Sequence, residues 1–102
     1  MNQYLLHGKL VARDGQASQL ALILLEASRL VAQARGCRVY AVARDENEPN
    51  AVWVTEIWDS KADHDDSLKA DTVKALIMQA MPLLDGPPQK GQELRVVGGT
   101  GV

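Results

Sequence analysis

The stretch that decides the fold is residues 37–59, CRVYAVARDENEPNAVWVTEIWD. Residues 37–45 and 51–59 are rich in β-branched and aromatic side chains, and the polar residues 46–50 separate them. Two runs of this kind around a short polar segment are typical of two strands and a turn. Because the connection is so short, we predict that the strands pair as an antiparallel hairpin.

A helix and a strand are predicted before the hairpin. Within residues 16–35 apolar side chains recur at steps of three and four, at Leu20, Ile23, Leu24, Ala27, Leu30, Val31 and Ala34. That spacing indicates an amphipathic helix, whose C-terminal half is favoured by Arg29 and Arg35 and whose end is marked by Gly36. Residues 4–12 mix apolar and polar side chains ahead of a turn, which predicts the first strand.

The segment after the hairpin predicts two short helices and a last strand. Ser60 is placed to cap the first helix, with Asp63 at the position where an acidic side chain helps to cap the first turn. The second helix is predicted over residues 73–81, with Asp71 and Thr72 as its N-terminus, and is ended by Pro82. After a loop rich in glycine and proline, residues 93–97 predict the final strand.

The resulting order, βαββαβ, predicts an α+β fold of the ferredoxin-like type, with a four-stranded antiparallel sheet and one domain over residues 1–102. In this topology the helices cover one face of the sheet. The third strand carries Val52 and Trp58 on one face, yet Trp53 and Ile57 on the other. An exposed apolar face usually marks an association surface, so we predict a homodimer formed through the sheets.

Composition excludes several classes of function. The chain has 102 residues, 46% of them hydrophobic, and 11 Lys+Arg against 13 Asp+Glu give a net charge of −2. Such a chain has no basic surplus for nucleic acid or an anionic membrane, and no apolar run approaches the ~18–20 residues of a membrane span. The single cysteine, Cys37, cannot form an internal disulfide. We therefore expect a cytoplasmic protein that starts without a secretion signal.

Standard catalytic and metal motifs are missing, and the two histidines, His7 and His64, are too far apart in the chain to predict a ligand pair. The remaining candidates are Glu56 and Trp58 on one strand face, and His64 and Ser67 in the following helix, which could meet at one end of the cleft between sheet and helices.

Each candidate has a structural alternative. Trp58 is either a pocket wall for an aromatic ligand or part of the core. Glu56 is either functional or paired with an arginine, and His64 is either a general base or a surface residue beside two aspartates. Tyr4 and Tyr40 are phenolic donors or packing residues.

The block WVTEIWDSKADHDDSL, residues 53–68, resembles the antibiotic biosynthesis monooxygenase superfamily, in particular its quinol monooxygenase branch. Residues 73–77, 80–83 and 94–99 extend the similarity over nearly the whole chain. The resemblance implies a dimeric α+β barrel. It also implies oxidation of a quinol or related phenolic or polyketide aromatic by O2, without flavin or metal.

The resemblance also suggests roles for particular residues. Trp58 matches the tryptophan that lines the pocket, His64 the histidine at the helix start and Glu56 the acidic residue of the block. Haem-degrading relatives use an asparagine and a histidine where this chain has Gly8 and about Ile77, so haem is disfavoured.

The predictions are therefore as follows. His64 and Glu56 are catalytic, no metal or cofactor is required, and the substrate-binding residues are Trp58, Tyr4, Leu6, Ser67 and Leu68. The alternative is a non-catalytic dimer of the same fold that binds a small aromatic ligand or acts in a stress response. A third hypothesis is an isomerase or decarboxylase.

Overall fold

The computed structural model describes residues 3–102. In chain order the elements are β1 (Gln3–Val11), α1 (Ala17–Val31), β2 (Cys37–Asp45), β3 (Glu48–Trp58), α2 (Lys61–Ser67), α3 (Asp71–Ala80), a 3-10 turn (Met81–Leu83) and β4 (Gln92–Val96). The strands form one antiparallel sheet in the order β2-β3-β1-β4. The predicted ferredoxin-like α+β fold is confirmed.

The β2–β3 hairpin is tighter than predicted. Asp45 pairs with Glu48, which leaves only two residues in the turn, and the Asp45 carboxylate accepts a 2.8 Å hydrogen bond from the Asn47 backbone N–H. β3 therefore includes Pro49, although proline cannot donate to a sheet ladder. Proline is tolerated here because β1 pairs with β3 only from Ala51 onward.

Helix α1 ends at Val31, four residues before the predicted end at residue 35. After Val31 the backbone hydrogen bonds tighten, with Ala34 N–H donating to the Val31 carbonyl at 2.9 Å. Gly36 then takes a φ of +83°, and a Cβ there would lie 2.8 Å from Cγ of Asp63. The glycine thus lets the chain turn into β2 close to the start of α2.

The two short helices start close to where the sequence predicts. The Ser60 hydroxyl accepts a 3.1 Å hydrogen bond from the Asp63 N–H, which confirms the predicted cap of α2. α3 begins at Asp71, within the predicted N-terminus, and its cap residue Ala70 contributes no side-chain hydrogen bond. Pro82 lies in the 3-10 turn that follows α3.

The two faces of the sheet differ. On the helix side Trp58 is 0% exposed and packs with Val31 and Val73. On the other face the Trp53 ring stacks on His7, with 4.9 Å between the ring centroids. In residues 3–102, no helix is long and apolar enough to cross a membrane.

Candidate functional site

A cavity of about 210 Å³ lies between the helices and the covered face of the sheet. For scale, an apolar cavity of about 150 Å³ is large enough to hold benzene. The lining side chains come from all three helices, from three strands and from the segment that leads to β4. They are Leu10, Ile23, Leu24, Ala27, Val31, Tyr40, Glu56, His64, Ser67, Leu68, Val73, Leu76, Ile77, Ala80, Met81, Leu84 and Pro88.

Only four of these lining residues have polar side chains: Tyr40, Glu56, His64 and Ser67. Tyr40 on β2 lies directly opposite Glu56 on β3 in the sheet register, so both side chains project from the same face. His64 and Ser67 lie one helical turn apart on α2. The cavity is therefore apolar except for one polar cluster.

Glu56 is held by its neighbour two residues along the strand. The Trp58 indole N–H donates a 3.0 Å hydrogen bond to Oε1 of Glu56. Burial raises the pKa of Glu56 above the ordinary value, while the hydrogen bond from Trp58 and the nearby His64 act in the opposite direction. The site therefore favours a protonated carboxyl group more than water does.

His64 is oriented by its own helix. Its Nδ1 lies 2.9 Å from Oδ1 of Asp65, and this hydrogen bond lowers the pKa of the Asp65 carboxyl. An ionised carboxylate only accepts, so Nδ1 carries the hydrogen, and in the neutral imidazole Nε2 is then the nitrogen with the lone pair. Nε2 lies 3.9 Å from Oε1 of Glu56, too far for a direct hydrogen bond. A hydroxyl group of a ligand could contact both groups.

The structure brings together four of the predicted site residues, Glu56, His64, Ser67 and Leu68, on the cavity wall. Trp58, Tyr4 and Leu6 are not among the lining residues. Trp58 lies in the core, and its contact with the site is the hydrogen bond to Glu56.

Tyr4 and Leu6 lie beside the cavity rather than in it. The Tyr4 hydroxyl donates to Glu93 on β4 at 2.8 Å, and the Tyr4 ring lies 5.4 Å from the His64 ring. Leu6 lies beneath Gly91, since a Cβ on that glycine would be 3.1 Å from Cδ1 of Leu6. Both are part of the packing that supports β4.

Tyr40 and the apolar walls from α1 and α3 are the lining groups that the sequence did not place in the site. Tyr40 could be placed beside Glu56 only if the length of the hairpin turn were known, because the turn sets the register of the two strands. The turn is two residues rather than five, and β2 also contains irregularities. The register was therefore not readable from the pattern of strands alone.

A Glu56→Gln variant tests the buried acid. Because the pKa of Glu56 is raised above 4.5, the folded state binds its proton more tightly than the unfolded state does. The free energy of unfolding therefore falls as the pH rises from the unfolded-state pKa to the raised pKa of the folded state. The fall is roughly 1.4 kcal/mol for each pH unit between these two pKa values. Glutamine does not titrate, so the variant avoids this loss of stability, and its amide oxygen still accepts the hydrogen bond from Trp58. Urea denaturation should show the variant gaining stability over the wild type as pH rises.

Glu93→Gln is the matched control, because Tyr4 and Lys61 lower the pKa of Glu93. Folding therefore favours the ionised form of the Glu93 carboxyl, so Glu93→Gln should lose stability relative to the wild type as pH rises. If the difference between Glu56→Gln and the wild type did not change with pH, the carboxyl group would not be perturbed by burial.

No group of three or more His, Cys, Asp and Glu side chains in the described range, 3–102, is arranged to hold a metal ion. The polar cluster instead combines one acid, one oriented imidazole and two hydroxyl groups. Its members can accept a proton and donate hydrogen bonds inside an apolar cavity.

These features define a class: ferredoxin-like α+β proteins with an apolar ligand cavity and an acid–histidine cluster between helices and sheet. The family model for antibiotic biosynthesis monooxygenases matches residues 4–79. The chain therefore belongs to the antibiotic biosynthesis monooxygenase family.

Solved structures agree with this assignment. A protein from Chloroflexus aurantiacus that carries the family's name is 37% identical, with a TM-score of 0.86 and 95% of each chain covered. One from Caulobacter crescentus is 22% identical and also has a TM-score of 0.86, with 95% of this chain and 92% of that chain covered, which supports the fold. No curated protein matches the chain.

Proposed function

We propose that the protein is a cofactor-independent monooxygenase that oxidises a phenol or quinol with O2. The observation that carries this proposal is the arrangement of His64, with Asp65 behind it and Glu56 in front of it, on the one polar wall of an apolar cavity. A base with a free lone pair in such a cavity is suited to deprotonating a bound aromatic hydroxyl group.

The first step is binding and proton removal. The ring of the substrate lies against the apolar walls, and its hydroxyl group lies between Nε2 of His64 and the Glu56 carboxyl. Nε2 takes the proton, and Asp65 stabilises the imidazolium that forms. The carboxyl group of Glu56, whose protonated form burial favours, donates to the phenolate oxygen.

The second step is the reaction with O2. The phenolate is rich enough in electrons to give one electron to O2, and the resulting radical pair combines at a ring carbon. One oxygen atom replaces the hydrogen of that carbon. The other leaves as water with the ring hydrogen and the hydroxyl hydrogen, so that a phenol plus O2 gives a quinone plus water. The substrate supplies all four electrons.

The test is oxygen uptake by the purified protein with a panel of hydroquinones and phenols, each corrected for spontaneous oxidation. We expect saturable uptake without added cofactor, with one oxygen atom from ¹⁸O2 in the product. Formation of one hydrogen peroxide per quinol, with no label in the product, would instead indicate a two-electron oxidase. Ligands that raise the melting temperature without any uptake would favour the non-catalytic binding protein.

We further propose that the protein is a homodimer formed through the sheets. The face of the sheet away from the cavity, its open face, carries Leu5, Trp53 and Leu94, together with Ile57, which is only 7% exposed in the isolated chain. Leu94 is 52% exposed in the isolated chain. Burial of such a patch against a second copy would give a large apolar gain.

Sedimentation of the wild type should give twice the chain mass of 11.1 kDa. A Trp53→Glu variant should sediment as a single chain, because a charge would be buried in the contact. Leu22→Glu is the control, since Leu22 is 61% exposed on α1, on the opposite side of the molecule from the open face. A monomeric wild type, or equal effects of both variants, would contradict the proposed interface.

A further inference from the structure

The polar groups of the cavity form one cluster rather than two. Tyr40 is the cross-strand neighbour of Glu56, Nε2 of His64 is 3.9 Å from Glu56, and Ser67 is one turn further along α2. The Ser67 hydroxyl already donates to the His64 carbonyl at 2.6 Å. The side-chain donors and acceptors of the cavity therefore come from neighbouring positions on β2, β3 and α2.

The rest of the wall offers no polar side chain to a ligand. The opposite side is formed by aliphatic residues such as Ile23 and Leu76, whose backbone groups bond within α1 and α3. An oxygen atom pointing at this wall would lose its hydrogen bonds to water without gaining others. Such a loss weakens binding by roughly tenfold or more.

Tyr40 and Ser67 are the polar groups of the cluster that the proposed reaction does not use, and the Ser67 hydroxyl is already bonded to the His64 carbonyl. Among residues 3–102 the Tyr40 hydroxyl group makes no hydrogen bond, and since no unpartnered side-chain atom there is fully buried, this group is accessible. Burial raises the pKa of Tyr40, and negative charge on Glu56 acts in the same direction, so the hydroxyl group stays protonated and can donate.

From this arrangement we infer that the substrate carries two oxygen atoms on neighbouring positions of one edge of its ring system, and that Tyr40 hydrogen-bonds the second of them. The first oxygen is the one held by His64 and Glu56. This inference rests on the proposed function, because it takes the ligand to be an aromatic hydroxyl compound. It names ortho- or peri-oxygenated phenols in place of para-hydroquinones.

The mouth of the cavity is consistent with this orientation. Leu68, Ile77 and Met81 line the cavity and are 42%, 42% and 46% exposed, so they form an apolar rim. A ring that enters with its oxygenated edge first leaves its hydrocarbon edge against this rim. A para-hydroquinone bound through the same first oxygen would direct its second oxygen away from Tyr40, toward side chains that cannot hydrogen-bond it.

The test compares two isomers of one skeleton, 1,2- and 1,4-dihydroxynaphthalene, by calorimetric titration without oxygen. We expect the wild type to bind the 1,2 isomer at least tenfold more tightly. Tyr40→Phe keeps the ring and removes the hydroxyl group. It should weaken binding of the 1,2 isomer about tenfold and binding of the 1,4 isomer less than twofold. Tyr4→Phe is the control and should change neither, because the Tyr4 hydroxyl bonds to Glu93 outside the cavity.

Three outcomes would overturn the inference: equal or tighter binding of the 1,4 isomer, an equal effect of Tyr40→Phe on both isomers, or no binding of either. Oxygen uptake is measured separately on the same isomers. Uptake with a preference for the 1,4 isomer would retain the oxygenase proposal and reject this inference. Preferential binding of the 1,2 isomer without oxygen uptake would retain this inference and reject the oxygenase proposal.

Discussion

Trp58→Ala is expected to lower the free energy of unfolding by about 3–5 kcal/mol, as for other buried aromatic residues truncated to alanine. Trp58 is 0% exposed and packs with Val31 and Val73, so truncation removes contacts between the sheet, α1 and α3 at once. Single domains have about 5–15 kcal/mol of stability in total, so the variant should unfold at much lower urea concentration. Urea denaturation followed by circular dichroism measures the change.

Trp58→Phe separates packing from the hydrogen bond. Phenylalanine keeps most of the buried ring but has no N–H, so Glu56 loses the donor that acts against its raised pKa. We expect a smaller loss of stability than for alanine and a further upward shift of the pKa of Glu56. If Trp58→Ala were as stable as the wild type and only ligand binding changed, Trp58 would be a pocket wall and not a core residue.

His64→Gln is expected to reduce kcat/KM for any phenol that the protein oxidises by about 10²–10⁴-fold, the usual range for loss of a general base. Glutamine preserves a polar side chain at this position of α2, but its amide is not a base. The loss should appear mainly in kcat, since the apolar walls that bind the ring are unchanged. Steady-state oxygen uptake measures it, and the melting temperature checks that the variant is folded.

Two aspartates beside His64 provide a matched pair of controls. Asp65→Asn removes the carboxylate that accepts from Nδ1 of His64, so it should lower kcat measurably. The decrease should be smaller than for His64→Gln. Asp66→Asn changes an exposed side chain that, within residues 3–102, bonds only to Lys69, and it should leave the rate unchanged. An unchanged rate for His64→Gln would remove the histidine from the mechanism, and equal rates for the two asparagine variants would remove Asp65 from it.

Local patterns predicted the elements of this fold because each depends on nearby residues. The stripe from Leu20 to Val31 and the Ser60 cap are contacts within one or two helical turns. Element ends were less accurate. α1 stops at Val31, and the turn that follows brings Gly36 close to Asp63, a contact between residues far apart in the chain.

The sequence by itself determined the order of helices and strands, the two-sided sheet, and that Glu56 and His64 are candidates for one site. Spacing along a strand or helix is enough for these conclusions, because the side-chain direction repeats with a known period. Tertiary structure alone decided that Tyr40 joins the polar cluster, that α1 and α3 form the aliphatic walls, and that Trp58 supports Glu56 from the core. Those relations depend on strand register and on how the helices pack on the sheet, which are set by contacts between distant segments and not by any local pattern.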